Sequence, residues 1–145
     1  LTTDEIYISG LALGEFADNT KKSLRKVMPQ IVNIRNPLDL AGDADAERYG
    51  KALEIVTKDP NIDMIIVIIL FQTPGADSSV AEKVIAYKEI SDKPMIVISV
   101  GTDYTQMHKT MMESAGLPVY DSPAAAARSL SELLKYANYL KRIED

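Results

Sequence analysis

The run MIIVIILF, residues 64–71, decides the fold. It is apolar at every position, does not alternate, and is rich in isoleucine and valine. A strand with one wet face alternates apolar and polar side chains, whereas a strand covered on both faces does not need to. The length suits a strand better than a helix. The run therefore predicts a strand buried on both faces, as in the interior of a parallel sheet. A second run, MIVISV at residues 95–100, follows Pro94, ends at Gly101, and predicts a fully buried parallel neighbour.

Around these runs the pattern turns helical. Asp77 is placed to cap a helix carrying Val80, Val84 and Tyr87 on one side. Upstream, Asp45 caps a helix running to Lys58, with Ala46, Tyr49, Leu53 and Val56 on one stripe and Pro60 behind it. Downstream, a helix through Met107, Met111 and Ala115 stops at Gly116, and PVY at 118–120 reads as a short strand. Ser122 and Pro123 supply a cap and a first-turn proline for a last helix, whose stripe is Ala126, Leu130, Leu133, Ala137 and Leu140. Nearer the start, LALGEF (11–16) predicts a short strand and Asp18 a cap for the helix that Pro29 ends. IVNIR (31–35) predicts extended chain before Asn36 and Pro37. LTTDEIYIS (1–9) reads like helix interior.

Buried strands joined by helical crossovers give an α/β fold, a three-layer α/β/α sandwich around a parallel sheet. The length fits one domain over residues 1–145. Ligands of such sheets bind beyond the carboxyl ends of the strands. The loops at 35–43, 72–77 and 101–105 are therefore the ones to examine.

Composition removes several function classes. With no cysteine and one histidine, thiolate chemistry and histidine-rich metal sites are excluded. The formal net charge is -5, and no cationic run offers a nucleic-acid footprint. The longest apolar run, 64–71, is far shorter than the roughly 20 residues a membrane-spanning helix needs. A cytoplasmic setting is the expectation.

Candidate chemistry is sparse. His108, in QMHKTMMES, has no carboxylate at a fixed neighbouring position and reads as a partly exposed helix residue. Asn36-Pro37-Leu38-Asp39 has two readings that both stand. Asn-Pro starts turns and Asp satisfies loop amides, or the loop lines a site where Gly42 permits close backbone approach. Gln72-Thr73-Pro74-Gly75 precedes a helix whose free N–H groups suit a phosphate, although Asp77 would compete for the same donors. Met107, Met111 and Met112 read as packing, and Glu47, Arg48, Lys135, Lys141 and Arg142 as solvated helix faces. No Gly-x-Ser-x-Gly elbow is present, and no Ser/Thr-rich phosphate loop follows a strand.

Two segments carry a specific resemblance. NPLDLAGDADAERYGKALEIVTKDPNID, residues 36–63, with the strand after it, resembles the ADP-forming acetyl-CoA synthetases, acyl-CoA ligases related to succinyl-CoA synthetase. AGLPVYDSPAAAARSLSELLKY, residues 115–136, resembles the closing strand and helix of that family. The strongest features are Asn36-Pro37-Leu38-Asp39, Gly42-Asp43 and Glu47-Arg48-Tyr49.

The resemblance implies a flavodoxin-like ligase domain downstream of two others. It implies an enzyme that interconverts acid, CoA and ATP with acyl-CoA, ADP and phosphate through a phosphohistidine on another domain. The implied partners are a CoA-binding domain, the phosphohistidine domain and an ATP-grasp domain or subunit, with the oligomeric state left open. CoA, ADP or ATP and Mg belong to the full enzyme, and none is expected on this domain alone. No catalytic residue and no metal ligand are implied here. The resemblance implies that Asn36, Pro37, Asp39, Gly42 and Asp43, with Gln72, Thr73 and Gly75, lie in loops that face the active site. The family's domain opens with a strand and a glycine-rich turn before the helix that 1–9 resembles. The chain is thus expected to be a fragment without its first, central strand, with either that strand lying outside residues 1–145 or another segment filling its slot, such as a partner chain's strand or the IVNIR run. The isolated chain is expected to be inactive. The alternative is a regulatory or ligand-sensing domain, for example in an acyltransferase fusion.

Overall fold

In the computed structural model, β1 (Ile65–Ile68) and β2 (Met95–Ile98) pair in parallel, Ile65 opposite Met95 and Ile68 opposite Ile98. A third parallel strand, β3 (Val119–Tyr120), continues the sheet on the far side of β2, in the order β1-β2-β3. The structure describes residues 2–144. Six helices complete the described chain: α1 (Thr2–Ile8), α2 (Asp18–Val27), α3 (Ala46–Val56), α4 (Ser78–Ile90), α5 (Asp103–Ser114) and α6 (Pro123–Glu144).

Strand alternation sorts the core into two faces. Ile65, Val67, Ile69, Met95, Val97 and Val119 face one way, with Leu53, Val80, Val84 and Met112 of α3, α4 and α5 packed on them. Ile96 and Ile98 face the other way, against Ala126 and Leu130 of α6. The result is the expected flavodoxin-like α/β/α sandwich. Where β1 and β2 end, the buried Ser99 hydroxyl donates to the Ile69 carbonyl (2.8 Å), keeping the strands together past their ladder.

The capping signals at Asp45 and Asp77 hold. Asp45 Oδ1 accepts the Arg48 amide and Asp77 Oδ1 the Ser79 amide, each at 2.9 Å, so orphan donors of the first turn are satisfied. Gly116 takes the left-handed φ (+74°) that closes α5.

Several expectations are corrected. LALGEF and IVNIR form no strand: residues 11–16 and 31–35 have no ladder partner, and Ile31 is 78% exposed. Extended propensity becomes a strand only beside another strand, and neither run reaches the sheet. IVNIR accordingly does not fill a slot next to β1. Asp18 is not a cap but the first residue of α2; Ala17 takes the cap position, its amide bonded to Asp59 Oδ2 (3.0 Å). Finally, the run at 64–71 is not buried on both faces. Its strand core is Ile65–Ile68, β1 lies at the sheet edge among the described residues, and Ile68 and Leu70 stay 44% and 49% exposed. The second run meets its expectation over β2, which is buried at all four positions, and departs from it at Val100, which is 52% exposed.

Candidate functional site

Beyond the carboxyl end of β1 the chain turns sharply. The Leu70 carbonyl accepts both the amide (3.0 Å) and the hydroxyl (2.8 Å) of Thr73, and the Thr73 carbonyl accepts the Ala76 amide (3.1 Å). Gln72 projects sideways, and its Nε2 donates to the Val100 carbonyl at the end of β2 (2.9 Å). Asp77 then starts α4 and takes both the amide and the hydroxyl of Ser79. Those hydrogen bonds from Ser79 hold its carboxyl below the usual range. The donors at the start of α4 are therefore partly occupied, which limits that helix end as a phosphate cradle.

The loop at 35–43 is fixed from three sides. Asn36 Nδ2 donates to the Gly14 carbonyl (2.8 Å), ahead of a cis peptide bond to Pro37. Asp39 Oδ1 accepts the Ala41 amide (2.9 Å), and Ala41 sits at φ 68°. This is the turn chemistry that Asn-Pro and Asp suggested. Arg48, on the first turn of α3, clamps the end of the loop. Its Nη1 donates to the Leu40 carbonyl (2.8 Å) and to Asp43 Oδ1 (2.6 Å), and its Nη2 to Asp43 Oδ2 (3.3 Å). The hydrogen bond with Arg48 lowers the Asp43 carboxyl and raises the guanidinium in turn. Arg48 is thus a loop brace rather than a solvated helix face, which its place beside a capping Asp did not reveal. One residue on, the Tyr49 hydroxyl donates to the Ile68 carbonyl (3.0 Å), tying α3 to the end of β1. Burial, with the Asp39 charge second, pushes the Tyr49 phenol up.

The two loops touch through a glycine. A Cβ on Gly75 would lie 2.6 Å from the Ala44 carbonyl oxygen and 2.7 Å from that of Asp43. No side chain fits there, so 72–77 rests its backbone directly on the end of 35–43. Gly101 makes a similar approach: its Cβ would lie 2.1 Å from Thr105 Oγ1 and 2.2 Å from Gln72 Nε2. At Gly42 a Cβ would meet nothing within 4 Å, so no contact in this chain demands glycine there. The close approaches belong to Gly75 and Gly101, and the signal for both is a glycine just past a buried strand.

All three loops therefore meet on one edge of the sheet. Asn36, Pro37, Asp39 and Asp43 lie in one contributing segment, and Gln72, Thr73 and Gly75 in the other. His108 sits beneath them and is not partly exposed, as expected, but 2% exposed. Its ring stacks on Phe71 (centroids 4.2 Å apart, 17° between planes), meets the Tyr104 edge at 4.6 Å, and its Nδ1 lies 2.8 Å from the Tyr104 carbonyl. His108 is therefore a buried, packed ring and not the partly exposed helix residue that its sequence surroundings suggested. Among the described residues no group of three or more His, Asp or Glu is placed to hold a metal ion. The edge can bind and orient through backbone groups, Gln72 and Asp39, and the hydroxyl–carboxylate pair of Ser79 with Asp77 sits in the cap of α4.

A parallel sheet with helices on both faces and its loops joined at the carboxyl edge defines the molecule as a flavodoxin-like α/β domain. The chain belongs to the CoA-ligase family, whose model matches residues 14–133. It is 32% identical over 142 residues to the alpha subunit of acetate–CoA ligase [ADP-forming] II of Pyrococcus furiosus, covering 93% of this chain and 31% of that one. It is 35% identical over 106 residues to the beta subunit of succinate–CoA ligase [ADP-forming] of Rhodospirillum rubrum, covering 71% and 26%. Among solved structures, PH0766 from Pyrococcus horikoshii superimposes with a TM-score of 0.87 at 27% identity, covering 94% of this chain and 32% of that one. The chain thus spans about a third or less of the relatives it matches.

Proposed function

We propose that residues 1–145 are one module of an ADP-forming acyl-CoA ligase, which interconverts acid, CoA and ATP with acyl-CoA, ADP and phosphate. In this reading the reactive phosphohistidine sits on another domain, and the joined loops 35–43 and 72–77 form a wall of the chamber enclosing it. CoA, ADP or ATP and Mg are held by the CoA-binding and ATP-grasp partners. This chain's contribution is position and exclusion of water, which matters because a phosphohistidine must be shielded from hydrolysis between transfers.

The observation that carries the reading is the contact of Gly75 with the Asp43 and Ala44 carbonyls. It makes two loops, far apart in sequence, into one rigid surface beyond the strand ends, where open α/β sheets bind ligands. Names of relatives support the reaction class, since both an acetate–CoA and a succinate–CoA ligase [ADP-forming] match. The test uses the complete ligase carrying this chain. Gln72→Ala and Asp39→Ala are expected to slow phosphoryl transfer about tenfold or more, about 1.4 kcal/mol of barrier, with the unfolding temperature nearly unchanged. Equal losses of transfer and stability would assign both residues to loop structure alone.

A further inference from the structure

Among the described residues, one buried side-chain polar atom has no hydrogen-bond partner: Oγ1 of Thr105, a residue 3% exposed in the first turn of α5. Such an orphan costs its full desolvation, and folded proteins keep few of them. A helical threonine has an ordinary outlet in the carbonyl four residues back. Thr57 and Thr110 both take it, donating to the carbonyls of Leu53 (2.6 Å) and Gln106 (3.0 Å). The Thr105 hydroxyl instead turns toward the bare α-carbon of Gly101. A Cβ there would lie 2.1 Å from Thr105 Oγ1 and 2.2 Å from Gln72 Nε2. The orphan and the carboxamide of Gln72 therefore flank one point that only glycine leaves open.

We propose that Thr105 is a positioning residue for Gln72, its hydroxyl serving as a second seat for the carboxamide during phosphoryl transfer. The proposal rests on the reading that loop 72–77 walls the phosphohistidine. In the seat seen here, Gln72 Nε2 donates to the Val100 carbonyl (2.9 Å) and the Thr105 hydroxyl is left unpaired. In the second seat Nε2 donates to Thr105 Oγ1, whose lone pairs are free to accept. One hydrogen bond replaces another, and the carbonyl released belongs to a half-exposed residue, where water can pair it. Gln72 is exposed and can turn, whereas Thr105 is fixed in α5, so the glutamine is the moving part and the hydroxyl its stop. The move carries the carboxamide from the end of β2 to the start of α5, along the edge where that reading places the phosphoryl group. Any side chain at 101 would stand between the two seats.

The test measures phosphoryl transfer and unfolding temperature side by side in the complete ligase. Thr105→Val keeps the shape and deletes the hydroxyl, so the unfolding temperature is expected to hold or rise as an unpaired buried group disappears. Transfer is expected to slow about threefold to tenfold, in kcat, with KM for the acid and for CoA unchanged. Thr105→Ser keeps the hydroxyl and loses a methyl, so it should restore most of the rate while lowering the unfolding temperature. In a Gln72→Ala background, Thr105→Val should slow transfer no further, because the two side chains act through one contact. Undiminished transfer in Thr105→Val, with Gln72→Ala slow, would overturn the proposal and leave the wall reading standing. Undiminished transfer in both single variants would overturn the two together. Parallel losses of rate and stability in Thr105→Val would assign the hydroxyl to a structural bond and overturn the proposal, as would full additivity in the double variant.

Discussion

Asp59 shows what a single buried group does here. It is fully buried, and its carboxylate accepts the Ala17 amide (3.0 Å), the Asn61 amide (2.8 Å) and a bond from Thr20. Burial alone would raise its pKa, but the hydrogen bonds from Thr20, Asn61 and Ala17, with the Lys93 charge, outweigh it and leave the carboxyl below its usual value. A folded pKa below the unfolded one means that the unfolded chain binds the proton more tightly. The stabilisation is therefore present above the unfolded value and is lost as pH falls through the folded one. Asp59→Ala is expected to cost about 1–3 kcal/mol at neutral pH and to flatten the acid limb of the stability curve, both measurable by urea unfolding across pH. A variant with an unchanged acid limb would contradict this. Nothing near Asp59 in sequence marked it, because the amide it holds at α2 is 42 residues away. Turn chemistry, by contrast, is local: the Asp39 and Asp77 roles were legible because their partners lie two residues on. Gly75 was legible only as a loop residue, since the carbonyls it meets belong to another segment. Gly75→Ala is expected to push the loops apart at a cost of roughly 1–3 kcal/mol, seen as a lowered unfolding midpoint.

At the scale of elements, helices were read well because their signals are internal: a cap, a stripe, a stop. Strands were read well only where they have neighbours. MIVISV and PVY lie in the sheet, whereas LALGEF and IVNIR carry similar local propensity and find no partner. The unbroken run at 64–71 was read as covered twice, yet its even-numbered side chains line an open trough. The two faces of this one strand should accordingly differ in energetic weight. Ile69→Ala, at 0% exposure, is expected to cost about 2–5 kcal/mol by leaving a cavity in the main core. Ile68→Ala, at 44% exposure, should cost well below that range. Equal destabilisation of the two in denaturant titrations would show that the trough is closed in solution.

For the whole molecule, the fold and the family-model match over residues 14–133 define the class, and the proposed function places the reactive histidine on another domain. Among the described residues no helix is long and apolar enough to cross a membrane. The carboxyl edge gathers Asp39, Asp43 and Asp77, with Asp43 held by Arg48 and Asp77 spent on its own helix. In the proposed reading, this edge shapes a chamber for chemistry supplied by other domains. The isolated chain is expected to show no acyl-CoA-dependent ATP formation, and His108→Ala should change only its stability. Turnover abolished by that substitution would put the histidine in the chemistry. The central claim, that the joined loops face the phosphohistidine, is tested most directly by hydrogen–deuterium exchange on the complete ligase, with its histidine phosphorylated and unphosphorylated. The account predicts that phosphorylation slows exchange in residues 36–43 and 72–77 while β2 stays unchanged. Slowing confined to other surfaces, with both loops indifferent to the phosphate, would contradict it.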